Sequence, residues 1–148
     1  MRISIALMIK FLKKPLTAQM LYIEAILWLG IVRITILIFS FKSIARFLSK
    51  HMSCSQKQYE SKTIEISKTI VSSILTMSIY MPWECKCLAQ AITGKMMLKK
   101  RKISSTLYLG VAKDENGGLI AHAWLRVGEI IILGGGGLNR FAVVSTFT

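Results

Sequence analysis

The stretch that decides the fold is residues 87–133, CLAQAITGKMMLKKRKISSTLYLGVAKDENGGLIAHAWLRVGEIIIL. Its hydrophobic period changes partway along. Cys87 to Arg101 reads as a helix whose small residues Ala89, Ala91 and Gly94 allow close packing. Thr106–Ala112 and Ile120–Val127 then read as strands, joined across Lys113–Gly118, where Asn116 and Gly117 give a hairpin signal. Gly128 and Glu129 make a tight turn into a third strand, Ile130–Leu133. Beyond it Gly134–Gly137 form a flexible corner, and Phe141–Phe147 supplies a last strand. Helices followed by an antiparallel meander make an α+β fold.

Upstream the pattern is helical. Pro15 breaks the opening segment, and Leu16 starts a long apolar helix that reaches to about Ser40. Phe41–Phe47 reads as a short helix or turn. Residues 51–62, HMSCSQKQYESK, are the most polar part of the chain and the best linker candidate. From Thr63 onward Ile66, Ile70, Ile74 and Met77 recur at helical spacing until Pro82. The expected division is a helical region at 1–62, closing in the linker at 51–62, and a core at 63–148. No internal repeat is visible.

The composition narrows the class. A chain of 148 residues, 53% of them hydrophobic, suits one domain and excludes wholesale disorder. Three cysteines argue against a disulfide-stapled secreted fold. Twenty Lys and Arg against seven Asp and Glu give +13, a charge that attracts polyanions. No zinc-finger spacing, aromatic nucleic-acid signature or Gly/Arg-rich tail accompanies it, so nucleic acid is not expected and the charge is read as suiting an acidic partner, anionic lipid or an acidic protein surface. The densest run, Lys99–Lys102, reads as a solvated helix end that complements the helix dipole.

The apolar stretch Leu21–Phe39 is interrupted by Glu24 and Arg33. Each charge at mid-bilayer would cost roughly 2.5–3.5 kcal/mol, so a buried or interfacial helix fits better than a span. Peripheral membrane contact is compatible with that reading. Residues 1–14 resemble a weak signal sequence without a small-residue cleavage site, and the expected location is cytoplasmic.

Few groups here can carry chemistry. Cys87 opens a helix, where unpaired N–H groups and the positive dipole end favour a thiolate and can receive an oxyanion. His122, one of two histidines, lies mid-strand in Ala121-His122-Ala123-Trp124 and is the candidate base. Each has a plainer reading: an inert core thiol and a satisfied core histidine. Cys85 is two residues from Cys87, about 200° around a helix, and would face elsewhere. A metal site is disfavoured, since zinc wants four ligands with wider pair spacings than Cys85 and Cys87 offer. No cofactor is expected.

Three segments together carry a resemblance: Trp83–Ala91 (WECKCLAQA), Arg101–Lys113 (RKISSTLYLGVAK) and Ala121–Trp124 (AHAW). They resemble the transglutaminase-like leader peptidases of lasso-peptide biosynthesis, specifically the stand-alone peptidase half of a split maturation protein. The resemblance is close over residues 82–147 and weaker in the helical half, at Leu21–Ala25. It implies a transglutaminase-like, papain-like cysteine-protease core following N-terminal helices. It further implies that Cys87, directly before Leu-x-x-Ala, is the nucleophile and that His122 is the catalytic histidine; Cys85 does not match. The implied partners are a precursor peptide cut after its leader, a separate leader-binding protein and an ATP-dependent lasso cyclase.

Members of that family carry an aspartate about a dozen residues after the histidine, where this chain has Gly134. A hairpin turning at about Gly128 puts position 134 opposite His122. Glu129, at the turn, lies roughly 20 Å away by strand rise. Asn139 is the nearest side-chain amide, and a backbone carbonyl or water is the other way to hold the ring, so the third member stays unassigned. Two rival functions remain: acyl transfer to an amine on the same fold, and a non-enzymatic basic module that docks on a membrane or a protein.

Overall fold

The computed structural model describes residues 11–50 and 59–148. The signal-like residues 1–10, and residues 51–58 with Cys54 and most of the linker candidate, lie outside the described residues. Four helices come first: α1 (Leu16–Ile38), α2 (Phe41–Lys50), α3 (Ser61–Tyr80) and α4 (Cys87–Lys100). Four strands follow: β1 (Thr106–Lys113), β2 (Leu119–Val127), β3 (Ile130–Leu133) and β4 (Ala142–Phe147), with a 3-10 turn at Leu138–Arg140 before the last. The architecture is α+β, as the change of period indicates.

Each helix buries a face set by its apolar spacing. Pro15 precedes α1, and the Gln19 amide donates to the Leu12 and Lys14 carbonyls at 3.2 and 2.8 Å, holding the entry to the helix. The inner face of α1 is Ala25, Leu29 and Val32. In α3 the buried line runs through Ser67, Ile70, Val71, Ile74 and Met77. Ile66 lies on the exposed side instead, because Ser67 takes the inward place and its hydroxyl donates to the Thr63 carbonyl at 2.8 Å.

Helix α4 is buried nearly all round, through Ala89, Ala91, Ile92, Gly94, Met97 and Leu98. It packs against α1 and α3 and against β2. The close approach rests on Gly94, where a Cβ would come within 2.9 Å of Leu125 Cδ2. One apolar cluster takes in Leu29, Leu48, Ile74, Leu98 and Leu125, so it draws on residues either side of the linker. Lys95 is buried too, and its ammonium donates to the Ser105 carbonyl.

The sheet is antiparallel with strand order β3-β2-β1-β4. The expected meander runs through β1–β3, but β4 does not continue it. It returns to pair with β1, Leu107 facing Phe147 and Val111 facing Ala142, which is Greek-key order. The glycine corner makes the return feasible, with Gly134 and Gly137 at φ of 75° and 67°. It also covers β1, whose Leu107 is fully buried against a Phe147 that is itself buried.

The helical half is tied to this core by a polar contact that joins the acid interrupting α1 to the basic run after α4. Glu24 accepts from Arg101 Nη1 and Nη2 at 3.1 and 2.7 Å, and Lys100 Nζ lies 3.3 Å away. Arg101 also donates to the Met97 carbonyl at 3.0 Å. The basic run at 99–102 is therefore only partly a solvated helix end. The hydrogen bond from Arg101 holds the Glu24 carboxyl below the usual carboxylate range against the opposing effect of burial, and Lys100 adds to it.

A carboxylate whose folded pKa is lowered stabilises the fold fully above its unfolded value, about 4.3, and loses that contribution as pH falls through the folded value. Glu24→Gln is therefore expected to cost about 1.5–3 kcal/mol at neutral pH. In urea unfolding the gap between wild type and variant should shrink steadily below about pH 4. A gap that stays constant into strong acid would show that the pair contributes no such linkage.

Candidate active site

Cys87 is the first residue of α4, and Lys86 is its N-cap, with extended backbone (φ −68°, ψ 165°) and no side-chain cap. The leading N–H groups of the helix are thus left without a side-chain acceptor beside the thiol. The approach to the thiol is held by Gln90, whose amide donates to the Cys85 carbonyl at 2.9 Å and to Ser78 Oγ at 3.2 Å. That ties residues 85–87 to the end of α3. The sequence reading quoted Gln90 within its motif but gave it no role. Cys87 is half-buried against the core, as is Cys85. Burial pushes the Cys85 thiol up, against the smaller opposing effects of a Trp83 hydrogen bond and Arg33. Cys85 is accordingly a poor source of thiolate.

His122 lies in β2, opposite Gly110 of β1. Strand alternation sends Ala123, Leu125 and Val127 into the core that α4 covers, while His122, Trp124 and Arg126 belong to the other set. On that side the rings form a ladder. Arg126 sits 5.4 Å over Tyr108, Tyr108 stacks on Trp124 at 5.5 Å and 4°, and His122 lies between Trp124 at 6.2 Å and Phe141 at 5.1 Å. The Trp124 ring needs the bare backbone of Gly110, since a Cβ there would come within 2.8 Å of it.

One hydrogen bond fixes the imidazole: His122 Nε2 to the Gly134 carbonyl at 2.8 Å. A carbonyl only accepts, so Nε2 carries the proton and Nδ1 presents its lone pair. Position 134 thus meets the histidine through its backbone, with no side chain. Gly134 has φ +75°, and a Cβ on it would lie 2.6 Å from the Ala123 carbonyl oxygen. The register differs from the simple hairpin count. A bulge between Leu125 and Arg126 pairs Leu125 with Leu133, which carries Gly134 beside Trp124, and its carbonyl reaches back to the ring. Asn139 lies exposed in the 3-10 turn, and Glu129 stands at the far end of the hairpin.

The two candidate residues come from packed elements, but His122 belongs to the strand set that faces away from α4. Gly94 of α4 lies against Leu125. Seven residues of helix and three of strand each span about 10 Å, so by rise alone Cys87 is about level with His122 along the sheet. There β3 has already ended, and on that edge of β2 the Gly134 carbonyl reaches the His122 ring. No hydrogen bond joins the Cys87 thiol to the His122 ring. Among the described residues no group of His, Cys, Asp or Glu has the arrangement to hold a metal ion.

Gly134→Ala would add a side chain at a left-handed position and against a carbonyl oxygen, at an expected cost of about 1–3 kcal/mol. Ring-nitrogen chemical shifts of His122 should report the Nε2–H tautomer in the wild type and a mixture in the variant. A wild-type ring protonated on Nδ1 would remove the role given to the Gly134 carbonyl.

A comparison with curated proteins finds no match, and a comparison with solved structures finds none. A family model, Transglutaminase-like superfamily, matches residues 28–146. The matched region runs from the middle of α1 to β4 and contains Cys87 and His122. Domains of this superfamily are usually catalytic, as cysteine proteases or transferases. With most of its length matched and an α+β core of helices before an antiparallel sheet, the chain belongs to the transglutaminase-like superfamily.

Proposed function

We propose that the chain is a cysteine endopeptidase that removes the leader from a ribosomally made lasso-peptide precursor, working in the cytoplasm with a separate leader-binding protein. The observation that supports this most is the Nε2 bond to Gly134, because it leaves the His122 Nδ1 lone pair free to take a proton. The resemblance of residues 82–147 to the lasso-peptide leader peptidases supplies the substrate class.

In this mechanism the Cys87 sulfur gives its proton to Nδ1 and attacks the carbonyl that joins leader to core. The oxyanion is received by N–H groups at the uncapped start of α4. The imidazolium returns the proton to the leaving amine, and water, activated by the same nitrogen, releases the acyl group and regenerates the thiol. His122 belongs to the strand set facing away from the core that α4 covers, so the reaction requires the Cys87 turn and the ring to come together past the end of the sheet when substrate binds. An ATP-dependent cyclase would then close the freed core peptide.

The test mixes the chain with its leader-binding partner and precursor and follows leader release by mass spectrometry. Cys87→Ala and His122→Ala are expected to lower the rate by about 10²–10⁴, with Cys85→Ala close to wild type. Cleavage by Cys87→Ala at the wild-type rate would refute the mechanism. A product carrying the mass of an added amine, in place of a free carboxylate, would mark an acyltransferase instead.

A further inference from the structure

Among the described residues, nothing covers the face of α1 that looks away from the core. Met20, Ile23, Leu27, Ile31, Ile34 and Ile38 recur every three or four residues along it, each between 51% and 70% exposed. The stripe is about 27 Å long by helical rise. Exposed patches of this extent on a single chain mark a contact surface. We infer that this face docks in the plane of an anionic lipid bilayer, with α1 lying along the surface.

Spanning the bilayer is incompatible with the packing. The opposite face of α1 holds Ala25 and Leu29, both fully buried, and Glu24, beside the stripe, is clamped by Arg101 and Lys100. Crossing would uncover the first two and break the clamp. Charge selects lipid and its sign. Exposed Lys13 stands just before α1, with Lys14 beside it held by the Tyr22 hydroxyl at 2.7 Å, and exposed Lys42 and Arg46 lie just after α1 on α2. The single acid within residues 11–50 is Glu24, already neutralised from within. The face therefore combines an aliphatic surface with cations at both ends, the two signals that stable interfacial binding requires. This inference does not depend on the peptidase reading.

The experiment is flotation of the full chain with vesicles of phosphatidylcholine alone or mixed with phosphatidylglycerol, read beside sedimentation without lipid. The chain is expected to float with the mixed vesicles and to partition roughly tenfold less onto phosphatidylcholine. Leu27→Glu with Ile31→Glu should lower binding to mixed vesicles by about tenfold or more while leaving the melting temperature unchanged. Lys13→Glu with Lys42→Glu, which touches no apolar residue, should separately abolish the preference for the anionic lipid. Absence of flotation with mixed vesicles, or flotation of the two variants equal to that of the wild type, would overturn the inference. So would a dimer in lipid-free solution that the Leu27→Glu, Ile31→Glu chain cannot form, since the face would then belong to a second copy.

Discussion

Helix α4 sits in a slot with no room to spare, and the missing side chain at Gly94 is what lets it enter. With Leu125 Cδ2 only 2.9 Å from where a Cβ would stand, helix and sheet meet through backbone on one side and a branched aliphatic side chain on the other. Interiors are packed at near-crystalline density, so a gap at this contact would not be absorbed by neighbours. The remaining helices are arranged by it. α3 lies against α4 and β3, α1 lies across both helices, and the Glu24–Arg101 pair fixes where α1 meets the end of α4. The first turn of α4, and with it Cys87, is carried to the end of the sheet where β3 has stopped.

The histidine is held by rings and by a peptide carbonyl. Stacking against Trp124 and Phe141 sets the plane of the imidazole, and the Gly134 oxygen sets which nitrogen bears the proton. A carbonyl brings only a partial charge, so it orients the ring as a carboxylate would while stabilising positive charge on it less. Backbone acceptors have one advantage in return. They cannot be protonated in acid, so the orientation of the ring is independent of the titration of a third side chain.

Much of this was legible along the chain, for physical reasons that differ by element. α4 and strands β1–β3 are legible because the residue pattern changes after Arg101 and turn signals at Asn116–Gly117 and Gly128 separate the strands, and Cys87 falls at the first helical residue. Ile66 misled because a serine can occupy an inward position when its hydroxyl bonds to its own helix. The partner of β4 was not legible, because strand order is decided by which edge needs covering rather than by the strand's own alternation. The bulge at Leu125 and Arg126 leaves no residue signature, and the hold on His122 is a backbone atom, which every residue type carries. Glu24 and Arg101, 77 residues apart, could be read singly but not as a pair.

The return of β4 to β1 has a consequence for synthesis. The segment bearing the thiol leaves the ribosome more than fifty residues ahead of Phe141, the ring that closes over the histidine from the other side. Until that last strand arrives, β1 presents a raw edge and the imidazole lacks one of its two walls. A nascent chain would therefore carry the Cys87 sulfur for some seconds before the His122 ring is braced, a vectorial order of assembly in which the two sides of the candidate site are completed at different times.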